Sequence, residues 1–423
     1  MKRIVLTTFG SYGDLYPYIA VARGLLARGH LAVIATTALY RDKVEQAGVG
    51  FHATRPDLAD LGDPAEITRR VYEPKRGAEY ITRQLIMPHL PRTFDDLLSV
   101  ARGADLLVSH ALTYTAPLIA RKLDLPWLST ILSPMVFMST YDPPLLPPAP
   151  WLKRLYGLSP ALYRLVFRAM RASVRSWSDP LRQLARERGL PEPKDDPLFE
   201  GQFSPFGTLA MFSPVIADPQ PDWPPQTQIT GFLFLHDADD MSAPSRQRLD
   251  DFLAAGDAPL VFTLGSSAVF DARDFYAQAV EIARRLDRRA VLLTGKDAGN
   301  NGLEALPSTI LAVDYAPHSI VFPRAAAIVH QGGIGTLAQA LKAGRPMLVV
   351  PFSHDQPDNA ERAQRLGVAR CIPRAKFSVE RAVEALQALL DDARHAQSAQ
   401  AVAEAIRAED GVRAACDRIE RLL

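Results

Sequence analysis

The chain has 423 residues, 48% hydrophobic and 22% charged, a balance that supports more than one buried core in a water-soluble protein. Its 48 Lys and Arg against 47 Asp and Glu leave a net charge of +1, which argues against a protein held to nucleic acid by bulk charge. Two cysteines, Cys371 and Cys416, are too few for a disulfide framework or a zinc ligand set and fit a reducing compartment. Nothing after the basic Met1-Lys2-Arg3 reads as a signal peptide, and no apolar run approaches the ~20 residues of a spanning helix. A cytoplasmic enzyme is the expectation.

The chain opens with a short apolar run, Ile4 to Thr7, predicted as a strand, then the turn Gly10-Ser11-Tyr12-Gly13-Asp14. Ile19, Ala20, Ala22, Leu25 and Leu26 follow at helical spacing, with Gly29 as a stop. Further strands are predicted at Leu31–Ala35, Ala104–Val108 and Trp127–Leu132, with helical stretches between them. Strand, helix, strand in this rhythm means parallel pairing with helical crossovers. Pro143, Pro144, Pro147, Pro148 and Pro150 then interrupt the pattern, and an arginine-rich helical stretch runs from Trp151 to about Leu190. The prolines from Pro214 to Pro225 read as a stiff linker. After it the rhythm restarts with strands at 260–264, 290–293, 309–313, 325–329 and 347–350, and the chain closes in an Ala- and Arg-rich helical tail. Each half is thus expected to hold one Rossmann-like sheet, an α/β fold overall.

The segment His330-Gln331-Gly332-Gly333-Ile334-Gly335-Thr336 joins a strand to a helix. Three glycines let the backbone turn sharply at a helix N-terminus, where unpaired amides and the macrodipole favour a phosphate; Thr336 and His330 add possible donors. The same residues match a dinucleotide fingerprint, Gly333-x-Gly335-x-x-Ala338, with Asp355 further on, so a nicotinamide dehydrogenase is a second reading. A tight turn without a ligand is a third.

Beyond the turn, Ala340-Leu341, Ala343-Gly344, Pro346, Pro351 and Asp355-Gln356 extend the pattern. Together with His330–Thr336 it resembles the donor signature of family 1 glycosyltransferases of the GT-B fold. Gly265-Ser266-Ser267 and Tyr315-Ala316-Pro317-His318 stand where that family places phosphate and base contacts, and Gly10 to Pro17 is similar to the opening of bacterial natural-product and sterol glycosyltransferases. The resemblance implies two Rossmann-like domains facing across a cleft, with a C-terminal helix crossing back to the first. It places an acceptor domain at 1–215 with an irregular insert at about 140–205, a linker at 216–230, a donor domain at 231–405 and a final helix at 406–423.

The implied reaction is inverting transfer of a sugar from a nucleoside diphosphate to an acceptor hydroxyl. Ser266, Ser267, His330, Gly332, Gly333, Gly335 and Thr336 would take the diphosphate; Tyr315, Ala316 and His318 the base; Asp355 and Gln356 the sugar. Asp14 is expected as general base, the rival role being a helix cap; His110, at a strand end, is a second catalytic candidate or a structural histidine. Ala338 replaces a glutamate that plant relatives place on the ribose, which keeps thymidine diphosphate sugars such as a rhamnose donor in play beside uridine diphosphate glucose. No metal or cofactor is implied, since no Asp-x-Asp pair stands at a strand end and Asp239-Asp240 lies in a polar loop.

A hydrophobic small-molecule acceptor (polyphenol, polyketide, sterol or lipid) would meet Tyr12, Met135, Phe137 and Tyr141, within an apolar set that ordinary core packing explains as well. Nine basic residues against two acidic ones between Trp151 and Leu190 allow a peripheral membrane contact, with a solvated helix face as the plain alternative. A nucleotide-sugar epimerase on the same scaffold completes the alternatives.

Overall fold

The computed structural model describes residues 1–155, 157, 159–235, 241–265, 272, 274–295, 303 and 306–423. Among these residues, seven strands form the first sheet: β1 Arg3–Thr7, β2 Leu31–Thr36, β3 Gly50–Ala53, β4 Leu106–His110, β5 Trp127–Ile131, β6 Thr208–Ala210 and β7 Thr227–Ile229. Six form the second: β8 Leu260–Thr263, β9 Ala290–Leu293, β10 Ile310–Val313, β11 Ala327–His330, β12 Met347–Val349 and β13 Ala369–Cys371. Every pairing is parallel, in the orders β3-β2-β1-β4-β5-β6-β7 and β10-β9-β8-β11-β12-β13. The central strands are buried and mostly apolar because helices cover both faces.

Each order reverses once, between β1 and β4 and between β8 and β11. Ligands of open α/β sheets bind beyond the strand ends at such reversals, where flanking crossovers leave in opposite directions and open a crevice. Asp14 follows β1 and His110 ends β4; Gly265 follows β8 and the glycine turn follows β11. Both halves therefore bring their chemistry-bearing residues to the one place where the topology opens a gap.

The proline-rich stretch is more than a linker. It carries β7, which extends the first sheet to residue 229, and it is pinned to the 133–142 loop. Asp222 accepts from Ser139 Oγ at 2.6 Å, Thr140 N at 2.6 Å and Thr140 Oγ1 at 2.8 Å, and Trp223 stacks on Phe137 with ring centroids 4.1 Å apart.

The chain ends by returning to the first half. The helix Gly411–Glu420 lays Ala415, Cys416 and Ile419 into the apolar cluster of the helix Tyr12–Ala27. Gly24 permits this approach, since a Cβ there would meet Cys416 Sγ and Val412 Cγ1 at 2.8 Å. Arg28 adds ion pairs to Asp417 at 2.7 Å and Glu420 at 2.6 Å. The last helix is shorter than the 406–423 expected, because the preceding helix runs to Arg407 and Asp410 caps a new start.

Candidate active site

The first wall is the N-terminus of the Tyr12–Ala27 helix. Ser11 is its N-cap, and Asp14 completes a capping box, its Oδ2 accepting from Ser11 N at 2.7 Å and Ser11 Oγ at 3.0 Å. Gly10, at φ +143°, leaves room for this carboxylate, as a Cβ there would lie 2.3 Å from Asp14 Oδ2. Cap and candidate base are therefore different oxygens of one residue. Oδ1 lies 3.8 Å from His110 Nε2, at the end of β4. Burial lowers the pKa of His110 while Asp14 and the Phe9 backbone work against it.

The opposite wall is the N-terminus of the helix Ile334–Ala343. Its N-cap, Gly333, has no side chain to satisfy the first-turn amides, while Leu337 N already bonds Gly333 O at 2.9 Å. The amides of the first turn remain as donors for an anion, with the macrodipole adding to them. Gly332, at φ +89°, packs against Val349 and Gln356, and Gly265, at φ +68°, faces Thr336 and Gln331. The two walls meet closely: a Cβ on Gly335 would stand 3.5 Å from Gly13 Cα.

Two of the expected donor contacts take other work. His330 is fully buried beneath the turn; its Nδ1 accepts from Gly332 N at 3.0 Å and its Nε2 faces Met347 Sδ at 3.3 Å. Burial, with His318 nearby, brings its pKa down to about 3, so it is a neutral strut that shapes the turn, not a donor within it. Gln356 is buried too, its Oε1 accepting from Phe352 N at 2.9 Å and closing the loop before its helix. Ser266 and Ser267 lie outside the described residues. Gly332, Gly333, Gly335 and Thr336 do meet at the turn.

Asp355 stands at the start of the helix Gln356–Arg365 but makes no side-chain cap bond; its Oδ2 accepts from Asn359 Nδ2 at 2.7 Å. Burial, with Asp14 adding like charge from across the cleft, pushes its pKa up to about 7. Asp14 and Asp355, one from each half, thus come near enough to interact electrostatically. Ala316 is buried and Tyr315 half-buried after β10, while His318 stacks on Phe322 at 4.3 Å, burial bringing its pKa to about 4.

On the acceptor side, Tyr12 is half-buried against Tyr16 and Tyr40, with ring centroids 5.5 and 5.0 Å away, beside Asp14. Phe137 is a correction: it is 6% exposed and packed among Trp223, Phe203 and Phe212, so it holds the linker in place. Met135 rests on the small cluster of Leu146, Leu152, Tyr163 and Phe167, and Tyr141 is exposed. The basic stretch is partly neutralised within the chain, since Lys153, Arg171, Arg182, Arg186 and Arg188 each meet a carboxylate. Arg164, Arg168 and Arg175 have no such partner among the described residues, and they share an outer face with Leu162 and the 64% exposed Leu165.

Sequence reasoning passed over Gln331, His354 and Asn359. The Gln331 Nε2 lies 2.3 Å from where a Cβ on Gly265 would be and 2.9 Å from one on Gly333, so this amide sits inside the cradle. Its place between His330 and Gly332 was the available clue. His354, at φ +57°, brings its ring against Tyr72 of the first half at 5.8 Å. A residue's reach across a cleft has no signature along the chain.

Residues 278–420 match the C-terminal domain model of erythromycin biosynthesis protein CIII-like proteins, and residues 4–82 the glycosyltransferase family 28 N-terminal domain. An O-mycaminosyltylonolide 6-deoxyallosyltransferase of Streptomyces fradiae is 33% identical over 99% of this chain and 97% of its own. A sterol 3-beta-glucosyltransferase of Emericella nidulans is 31% identical over 99% of this chain, which spans 30% of that longer protein. Among solved structures, a calicheamicin glycosyltransferase superposes with a TM-score of 0.73 at 19% identity, covering 100% of this chain and 98% of its own. A spinosyn rhamnosyltransferase complexed with thymidine diphosphate gives 0.70 at 18%, covering 100% of both. Near-complete alignment with the Streptomyces enzyme, on this two-sheet architecture, makes the chain a member of the family 1 glycosyltransferases of the GT-B fold, enzymes that use nucleotide sugars.

Proposed function

We propose that the protein transfers a sugar, with inversion, from a nucleoside diphosphate to a hydroxyl of a hydrophobic small molecule. The observation that carries this is the convergence of the uncapped Ile334 helix N-terminus with the helix start that bears Asp14, across a gap that Gly13 and Gly335 keep narrow. The chemistry asks for charge relief on the departing diphosphate and a base on the attacking oxygen. Amides fixed in place before the reaction supply the first without reorganisation, which is why such donors are often the largest catalytic term.

In this reading Asp14 accepts the acceptor's proton as the sugar leaves, and His110, at the end of β4, holds the free oxygen in position. Asp355 engages the sugar hydroxyls, and Tyr315 stacks on the base. Neither a metal nor a cofactor is required, because the helix N-terminus offsets the leaving group's charge. The relatives' names, with deoxyallosyl and glucosyl transfer, thymidine diphosphate and a sterol among them, favour a deoxysugar or glucose as the group moved and an apolar acceptor, with thymidine diphosphate as the carrier and uridine diphosphate as its alternative. The outer face bearing Arg164, Arg168, Leu162 and Leu165 would let the enzyme rest on an anionic membrane while taking up an apolar acceptor.

The test is incubation with thymidine and uridine diphosphate sugars, with and without a panel of phenolic, polyketide and sterol acceptors. Acceptor-dependent release of the diphosphate, with inverted anomeric configuration in the product, is the expected result. Acceptor-free isomerisation would make the protein an epimerase, and reduced-nicotinamide fluorescence would restore the dinucleotide reading of Gly333.

A further inference from the structure

The helix Gln356–Arg365 belongs to the second half, yet one loop of the first half grips it. Asn359 is fully buried and makes three hydrogen bonds. Its Nδ2 donates to Gly332 O at 2.9 Å and Asp355 Oδ2 at 2.7 Å, and its Oδ1 accepts from Ser133 Oγ at 3.3 Å. The partners dictate the amide's orientation: a carbonyl and a carboxylate need N–H donors, whereas a hydroxyl can supply the third bond. One side chain thus ties the glycine turn, the candidate sugar carboxylate and the loop that leads into the acceptor side.

The neighbouring residues reinforce the grip. Asp358 accepts from Leu145 N at 2.9 Å and Arg362 Nε at 2.7 Å; Arg362 also bonds Asp142 and donates to Ile216 O at 3.1 Å. Arg365 reaches Asp142 at 3.0 Å. A buried ionic seam of this kind is weak evidence for stability alone, because desolvation offsets much of its attraction. It does hold two elements in one register.

We propose that Asn359 is a positioning residue that sets Asp355 against the glycine turn and relays occupancy of the donor site, through Ser133, to the 133–145 loop on the acceptor side. Donor binding and acceptor-loop order are then coupled through one amide, a link that rests on the donor reading given above. Asn359→Asp keeps the size and can still accept from Ser133, but in place of two N–H donors it has at most one shared proton, so Gly332 and Asp355 cannot both be served. Ser133→Ala cuts the other arm and leaves the donor side intact.

The experiment uses the full chain and whichever of thymidine or uridine diphosphate binds it more tightly, with the corresponding glucose derivative as the sugar-bearing probe. Hydrogen exchange of residues 133–145 should slow in the wild type on adding the diphosphate, and should not slow in either variant. Asn359→Asp should lower affinity for the sugar-bearing probe about tenfold while the bare diphosphate stays within about threefold; Ser133→Ala should shift both affinities by no more than the small coupling factor, within about threefold. Ligand-induced protection that persists in both variants overturns the relay, as does a parallel loss of both affinities in Asn359→Asp. Should Asn359→Asp fail to fold, the exchange result for Ser133→Ala decides. Failure of the wild type to bind either diphosphate removes the donor reading itself, and the relay with it.

Discussion

Gly13 and Gly335 face each other across the cleft, a Cβ on Gly335 falling 3.5 Å from Gly13 Cα. That spacing is ordinary van der Waals contact, so one methyl fits and a branched side chain does not. Gly335→Ala should leave diphosphate affinity near the wild-type value. Gly335→Val should weaken it about tenfold or more, as its branches wedge the two helix N-termini apart. Titration calorimetry with thymidine and uridine diphosphates checks this, and an unweakened Val variant would take the diphosphate out of the turn.

Asp14→Asn separates capping from catalysis, because an amide oxygen can still accept from Ser11 N as Asp14 Oδ2 does. Turnover should drop by about 10²–10⁴-fold, the usual contribution of a general base. Diphosphate affinity should stay within a few-fold and the thermal midpoint within a few degrees. Turnover close to wild type would remove Asp14 as the base. His110→Ala should cost less than Asp14→Asn, since His110 acts on the carboxylate from 3.8 Å.

The central strands were legible because a strand buried on both faces must be an unbroken apolar run, as in Leu260–Thr263 and Ala290–Leu293. The missed strands β3, β6, β7 and β13 are three or four residues long, and three of them are sheet edges. Thr227-Gln228-Ile229 amid prolines looks like linker until Thr208–Ala210 lies beside it. The glycine turn was readable because its demands are local: a sharp reversal, no side chains, then a helix. His330 departs from its expected donor contact because both ring nitrogens are engaged beneath the turn, and Gln356 commits its Oε1 to Phe352 N, orientations that no spacing rule reports. Phe137 looked like an acceptor contact because an aromatic next to a core and one next to a ligand have the same signature.

Asp355 carries a pH prediction with a definite sign. Burial raises its pKa to about 7, Asp14 and Asp358 add like charge, and the Asn359 hydrogen bond works the other way. The folded chain therefore retains a proton that the unfolded chain has lost above about pH 4. The stability linked to that proton is fully present below the unfolded pKa and is lost as pH rises towards 7. Asp355→Asn cannot ionise there and still offers an oxygen to Asn359. Between pH 5 and pH 8 the wild type should lose stability relative to the variant, on the order of 2 kcal/mol. Urea unfolding of both proteins at the two pH values measures this, and a difference that does not change with pH would place the ionised carboxylate in a solvated setting.

The outer face of the helix Pro160–Val174 separates a membrane contact from a merely solvated surface. Tyr163 and Phe167 turn inward to Leu146 and Leu152, so the outward residues carry no structural duty in the small core beneath. Exposed leucines add apolar insertion, and arginines with no carboxylate partner among the described residues keep their charge available for anionic headgroups, each worth about 1 kcal/mol near the surface. The wild type should sediment with vesicles containing anionic phosphatidylglycerol, less so as salt is raised, and not with neutral phosphatidylcholine vesicles. Arg164→Glu with Arg168→Glu should abolish sedimentation while transfer to a soluble phenolic acceptor stays at the wild-type rate, because both residues lie on the exposed face of their helix and neither contacts the proposed site residues Asp14 and Asp355. Equal sedimentation of wild type and double variant, or binding to neutral vesicles alone, would return this face to the solvent.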